Sequence, residues 1–414
     1  MKKALFFVVA IAAVAISCTK SEVVKAPGRG REISFDTYVG KTPVTKAESA
    51  DLNYLKQSLE SSGGFQVYAF LHQEILPSSD PVTGEETYID VSNIGVATPY
   101  MNKIVNWVET VSDNPETEDV DESEGKWDYP GVVYWPDHST KRKLAFAAYA
   151  KNAEHLMTFE DDEYTATTKS YTKFSYTVPA EVADQKDLMV TPFLPNMGLD
   201  GSATTAPVPI LFKHLLSRVG FEVVANQDGD VVIDIQEVTM YGKFPKVGKV
   251  DLKGAGVIEP VTTGEDAVFE DKYTLFPGNE HFTTQSSVTS TPIFANWVPN
   301  TEATEPAEVA STDDTNRYMM IMPATLEANV EGEEPVSYIE VKYQLTDADV
   351  QVARVSLDSW NFAPGKSYTF VFKVSTTSIE FDVVVDSWTE FFEETNEEGG
   401  LANGNGVFTL IPII

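Results

Sequence analysis

Sixty-three carboxylates, five histidines and a single cysteine are among the side chains here with the chemistry to act as acids, bases, ligands or nucleophiles. Carboxylates in such number fall near one another by chance, so no general acid and base at a glycosidase separation can be picked out. Glu160, Asp161, Asp162 and Glu163 stand together as a solvated turn would place them. The run 112–125, "SDNPETEDVDESEG", offers calcium the oxygens of Asp113, Glu116, Glu118, Asp119, Asp121, Glu122 and Glu124. It lacks the D-x-[DN]-x-[DN]-G spacing that wraps such oxygens around an ion. His72, His138, His155, His214 and His281 are scattered without the H-x-x-x-H or H-x-H spacing of a zinc site. There is no G-x-S-x-G, phosphate loop or dinucleotide fingerprint, and the glycines of "GGLANGNG" have no strand before them and helix after them. Trp107, Trp127, Tyr134 and Trp135, near turns, could stack on a sugar ring or fill a core and its strand edges. The residues therefore predict no catalytic group, no metal and no cofactor, and a protein that is not an enzyme.

The cysteine is the exception. In "MKKALFFVVAIAAVAISC", Lys2 and Lys3 precede an apolar run from Ala4 to Ile16, and the small residue Ser17 stands before Cys18. The run is shorter than the roughly 20 apolar residues a spanning helix needs. The pattern resembles a bacterial lipoprotein signal, in which Cys18 becomes the acylated N-terminus once the leader is removed. Acyl chains anchor through their buried methylenes, so the expected product is tethered to a membrane without crossing it. With Cys18 so used, no thiol remains for a disulfide or redox motif.

The elements that must carry these groups read as β structure. A net charge of −33 repels nucleic acid and anionic membrane surfaces. It is unevenly spread: residues 1–46 hold eight Lys and Arg against three acids, a net of +5, leaving −38 for the rest. A length of 414 residues suits two domains, and 42% hydrophobic residues can build their cores. Residues 19–31 read as a polar tether with Pro and Gly. From "EISFDTYVGKTPVTKAES" (32–49) onward, alternation of period two dominates, beginning with Ile33, Phe35 and Val39 on one side. "GGFQVYAFLH" (63–72), two runs within 131–152, and "YTKFSYTVPA" (171–180) continue the pattern. Further strand-like runs lie at 209–224, 230–244, 317–324, 337–346, 366–374 and 378–388. The one helical candidate in the first half is 51–61, with Leu52, Leu55 and Leu59 on one face. A turn-rich stretch at 194–209 marks the expected domain boundary. The chain closes on a Gly/Asn-rich linker (393–406) and eight largely apolar residues, "VFTLIPII".

The two ends raise a common possibility. A lone strand at the start of a sandwich, if cut away, leaves unpaired N–H and C=O groups flanked by apolar pockets. Such a groove binds any apolar strand of suitable pattern. Val407, Phe408, Leu410, Ile411 and Ile413 make the C-terminal run a candidate to fill it in a neighbouring molecule, provided Pro412 sits where no N–H is needed. The same run could instead be the last strand of its own domain.

Several of these pieces, in order, resemble the fimbrillin family, the pilins of type V pili of gut and oral Gram-negative anaerobes. They are the signal ending at Cys18, "ISFDTYV", "TKAE", "GGFQVYAF", "YWPDHSTKRKLAFAAYA", "PVPILFKHLLSRVGFEV" and "WNFAPGKSYTFVFKV…IEFDVVVDSW". The resemblance implies an all-β protein with two transthyretin-like β-sandwich domains in tandem and little helix. It implies export as an outer-membrane lipoprotein and cleavage by a trypsin-like protease after the first strand, with that strand's place taken by a strand of the next subunit. Lys46 then occupies the cleavage position, where the family usually has arginine, and Ala47 the new N-terminus. The chain divides into a signal peptide (1–17), a tether and removable strand (18–46), an N-terminal domain (47–200), a C-terminal domain (205–392) and a linker with its apolar strand (393–414). The expected partners are other pilin subunits, the maturation protease and, before maturation, the outer membrane through its lipid. The expected place is the cell surface. A second reading is a non-polymerising surface lipoprotein that binds a glycan or host protein, or a tip or anchor subunit of the same pilus.

Overall fold

The computed structural model describes residues 31–39, 63–76, 91, 94, 98–110, 124–137, 142–161, 169–198, 206–225, 232–254, 256–275, 282–285, 291–293, 318–345, 348–374 and 379–387. The helical candidate at 51–61 and all but the last residue of the acidic run 113–124 lie outside them. What is described is all-β, joined by loops and two short 3₁₀ turns.

The first unit is a strand path that closes on itself. Its order is β1 (Phe35–Val39), β4 (Glu124–Asp128), β3 (Met101–Thr110), β2 (Phe65–Gln73), β5 (Arg142–Ala150), β8 (Met189–Met197) and β9 (Val208–His214). Every pairing is antiparallel except β1 with β9, which run parallel. Period two decides what points inward. Phe65, Val67 and Ala69 of β2 and Leu144, Phe146 and Ala148 of β5 meet Val208, Ile210 and Phe212 of β9 in one interior. The other faces of β2 and β5 carry Tyr68, Phe70, Ala145, Ala147 and Tyr149, buried as well because a second layer covers them. That two-sided burial explains why β5 reads as an unbroken apolar run.

The covering layer is the sheet β6 (Met157–Asp161), β7 (Lys169–Thr177), β12 (Val247–Asp251) and β13 (Ile258–Pro260), paired in that order. It joins strands from both halves of the sequence, β7 to β12 over five residue pairs. The second unit is built on two further sheets. One centres on β10 (Ser217–Ala225), which lies parallel to β22 (Lys366–Val374). β16 (Thr291–Ile293) and β17 (Tyr318–Ile321) pair with β10, and β23 (Ile379–Ser387) pairs with β22. The other places β11 (Val232–Pro245) between β14 (Phe269–Leu275) and β19 (Tyr338–Leu345), with β20 (Gln351–Ser356) outside β19 and β15 (Phe282–Gln285) also on β11. One apolar core runs from Tyr68, Phe70 and Tyr149 through Phe174 and Tyr176 to Phe221, Phe370 and Phe372.

Three expectations change. The turn-rich stretch near residue 200 does not separate the units, because β9, just beyond it, hydrogen-bonds within the first. The apolar run 209–224 is in fact two strands, one for each unit, and pairing favours a division at Leu215–Leu216. Gly, Pro and Ser mark a loop, whatever lies on either side of it. The first run within 131–152 forms a single bridge, Glu32 with Tyr134, and only the second becomes a strand.

Gly63 and Gly64 enter β2 with φ of +78° and +74°. A Cβ on Gly64 would collide with the carbonyl oxygen of Val105, which lies opposite Phe65 on β3. Gly64→Ala is expected to destabilise the first unit by about 1–3 kcal/mol. Thermal unfolding followed by the near-ultraviolet signal of the buried aromatics checks it.

Candidate functional site

The site is the slot that β1 occupies. One side of the slot is β9, along which Phe35 to Val39 pair in parallel with Val208 to Phe212. The other is β4, where the ladder consists of one pair, Phe35 with Trp127. Upstream, the chain is held by the extended segment after β4. Ile33 N–H donates to Val133 O (2.9 Å), Trp135 N–H to Arg31 O (2.8 Å), and the Tyr129 hydroxyl to Ile33 O (2.7 Å). Val208 N–H donates to Ser34 O at 2.8 Å.

Ile33, Phe35 and Thr37 point inward and are 1%, 5% and 1% exposed. The Phe35 ring lies edge-on to Phe65 (6.1 Å), Tyr129 (5.8 Å) and Phe146 (6.0 Å), so it sits in an aromatic cage at the centre of the first unit. Each such geometry adds roughly 0.5–1.5 kcal/mol beyond area burial. Trp127 packs its edge on Phe65 and Trp107, both at 5.3 Å. Gly125 makes room for this, since a Cβ there would strike the Trp107 indole.

The chemistry of the slot is main-chain pairing plus apolar fit, with two polar details. Burial, the largest cause, pushes the Tyr129 hydroxyl up to about 12. Tyr129 is therefore a donor at any ordinary pH. Thr37 is the opposite case. Its hydroxyl is buried with no hydrogen-bond partner among the described residues. Its N–H donates to the Asp36 carboxylate at 3.0 Å. A buried hydroxyl left unpaired costs about 1–3 kcal/mol, so β1 fills the slot with one built-in defect.

Of the residues singled out from sequence, Ile33 and Phe35 stand in this slot, and Val39 ends β1 opposite Phe212. Cys18, Lys46, Ala47, Val407, Phe408, Leu410, Ile411 and Ile413 lie outside the described residues. Trp127 and Trp135 are core residues, 5% and 8% exposed, and Trp107 packs against the same core. That leaves Tyr134, 38% exposed, as the accessible ring of the four. Asp161 ion-pairs with Lys169 at 2.6 Å on the surface. No group of three His, Cys, Asp or Glu able to hold a metal occurs among the described residues. Sequence reasoning missed Tyr129, Thr37 and the 133–135 clamp. An inward Thr among apolar neighbours at 33, 35 and 39 was the one legible signal, while Tyr129 gave none.

The described chain is all-β, and its first strand closes an otherwise complete sheet path. The family model described as "Fimbrillin-like" matches residues 93–388, and the chain belongs to that family. Among solved structures it is similar to a fimbrial protein from Bacteroides vulgatus ATCC 8482, with 15% identity and a TM-score of 0.53, covering 87% of this chain and all of that one. It also matches the C-terminally truncated tip fimbrial protein Mfa3 from Porphyromonas gingivalis, at 10% identity and a TM-score of 0.31, over 78% of this chain and 93% of that one. No curated protein matches.

Two variants test how the slot holds β1. In a chain with an engineered protease site across 44–49, the cut segment should leave more slowly in Thr37→Val and faster in Tyr129→Phe. Each should change the rate by roughly 5- to 30-fold. Mass spectrometry of the retained segment reads both. The hold should also weaken as pH rises from about 10 to about 12, because the bound state keeps the Tyr129 proton that the released state loses. Below pH 10 this contribution is fully present, and in Tyr129→Phe that alkaline step should vanish.

Proposed function

We propose that this chain is a structural subunit of a cell-surface pilus, exported as a lipoprotein on Cys18, matured by cleavage after Lys46 and polymerised by strand exchange. The observation that carries the reading is the position of β1: a short N-terminal strand fills the centre of the first unit, fixed along β9 but by one pair along β4. Membership of the fimbrillin-like family supports it, as does the fold shared with a fimbrial protein.

Cleavage after Lys46 detaches residues 31–39 from the body of the chain without touching any described strand other than β1. With the signal peptide already removed, the +3 of residues 18–46 leaves with the segment and its lipid, and the acidic body remains. The vacated slot then offers the edge of β9 and the cage around Phe35 to a strand from another subunit. The C-terminal run with Val407, Phe408, Leu410, Ile411 and Ile413 has the apolar pattern for that role. Its fourteen-residue linker, 393–406, can span about 46–50 Å when extended, enough to reach an adjacent molecule. The role is structural and supports adhesion.

Lys46→Ala should give folded, lipid-bearing monomer without polymer, and deletion of 407–414 should stop growth beyond that subunit. The mature N-terminus, read by mass spectrometry of pili sheared from cells, should be Ala47. A mature form beginning at Cys18 would instead mark a non-polymerising lipoprotein that binds a glycan or host protein.

A further inference from the structure

The slot accepts a replacement strand only in particular alignments, and its own hydrogen bonds say which. Resting on the strand-exchange reading above, we infer that the C-terminal run of a second copy enters with Phe408 in the place of Ile33, Leu410 in that of Phe35, and Pro412 in that of Thr37.

Pro412 has no N–H to give, and this limits where it can stand in the slot. In a parallel ladder, alternate residues of one strand direct both N–H and C=O toward a given neighbour. Ser34 O accepts from Val208 N–H, so positions 34, 36 and 38 serve β9, and their N–H groups are needed there. A proline running in the direction of β1 must therefore stand at 33, 35 or 37, the positions whose side chains point inward. At 33 it would forfeit the bond from Ile33 N–H to Val133 O. At 35 it would face Trp127 across the β4 ladder and leave the cage of Phe65, Tyr129 and Phe146 poorly filled. At 37 nothing in the ladder is lost, because the Thr37 N–H is directed to the Asp36 side chain.

That alignment also removes the defect of β1. The buried, unpartnered Thr37 hydroxyl gives way to an apolar ring, while Leu410 and Phe408 supply large side chains for the two deep positions. The exchange is then favoured by the identity of one residue in each strand. Thr409 and Ile411 fall at positions 34 and 36, on the outer face.

The test is an aspartate scan in the full-length chain, matured with a lysine-cleaving protease and read as a polymer ladder on gels without heating. Phe408→Asp and Leu410→Asp should abolish the ladder. Thr409→Asp and Ile411→Asp should keep polymer yield within about twofold of the parent. Unfolding midpoints of the uncut monomers check that every variant folds. The opposite pattern, with 409 and 411 sensitive and 408 and 410 tolerant, overturns this alignment while leaving strand exchange standing. A parent chain that is cut after Lys46 and still forms no ladder overturns strand exchange itself, and the alignment with it. A further check is Pro412→Ala, which should still form the ladder at a yield no higher than the parent's; a yield well above the parent's, showing that the missing N–H is a cost, overturns the placement of Pro412 at position 37. Substitution of Pro412 by aspartate should fail.

Discussion

The first unit depends on one closure, the insertion of β1 between β4 and β9. A sheet edge exposes a row of unpaired N–H and C=O groups, and an apolar interior open along such an edge admits water. Five residues close both gaps at once. They pair with β9 through Phe35 to Val39 and deliver Phe35 and Thr37 to the interior, which Ile33 just upstream joins. Phe35 is the centre of that arrangement, since its ring touches aromatic residues from β2, from β5 and from the segment following β4. Without it, these rings would face a shared void.

The second unit uses the same device with a different outcome. Its first strand, β10, also lies parallel to a late strand of its unit and antiparallel to others. There the parallel ladder runs over eight residue pairs, from Arg218 with Ser367 to Ala225 with Val374, where that of β1 has five. The start of β10 is fastened as well. Gly365 N–H donates to Leu216 O, Ser217 Oγ to Ala363 O, and Arg218 Nε to Ser367 Oγ. Arg218 also lies 4.1 Å over the Tyr318 ring. β10 follows β9 through two residues, so it is held on both sides by chain that belongs to the core. The contrast is one of fastening: the topology is similar, but β1 is short and carries an unpaired buried hydroxyl, while β10 is longer and fixed at its start.

The two units are not independent bodies joined by a linker. The sheet of β6, β7, β12 and β13 draws strands from both, and Leu252 donates to Thr172 O while Phe193 donates to Leu252 O. A continuous core from Tyr68 to Phe372 passes beneath that sheet. The two units are therefore coupled by paired backbone and packed rings.

Much of the architecture was legible in the residues. Alternation marked β1, β2, β7, β11, β19, β22 and β23, because a strand with one buried face must repeat every two residues. The inward role of Ile33 and Phe35 followed from the same periodicity. What the residues alone did not decide was how strands from distant parts of the chain combine. The run 209–224 looked like one element and serves two units, since hydropathy reports burial and not the neighbour that provides it. Trp127 and Trp135 could not be told from surface rings until β2 and β5 were seen to cover them. The weakness at Thr37 is likewise a tertiary fact: any threonine can sit in a strand, and only the packed interior leaves its hydroxyl without a partner.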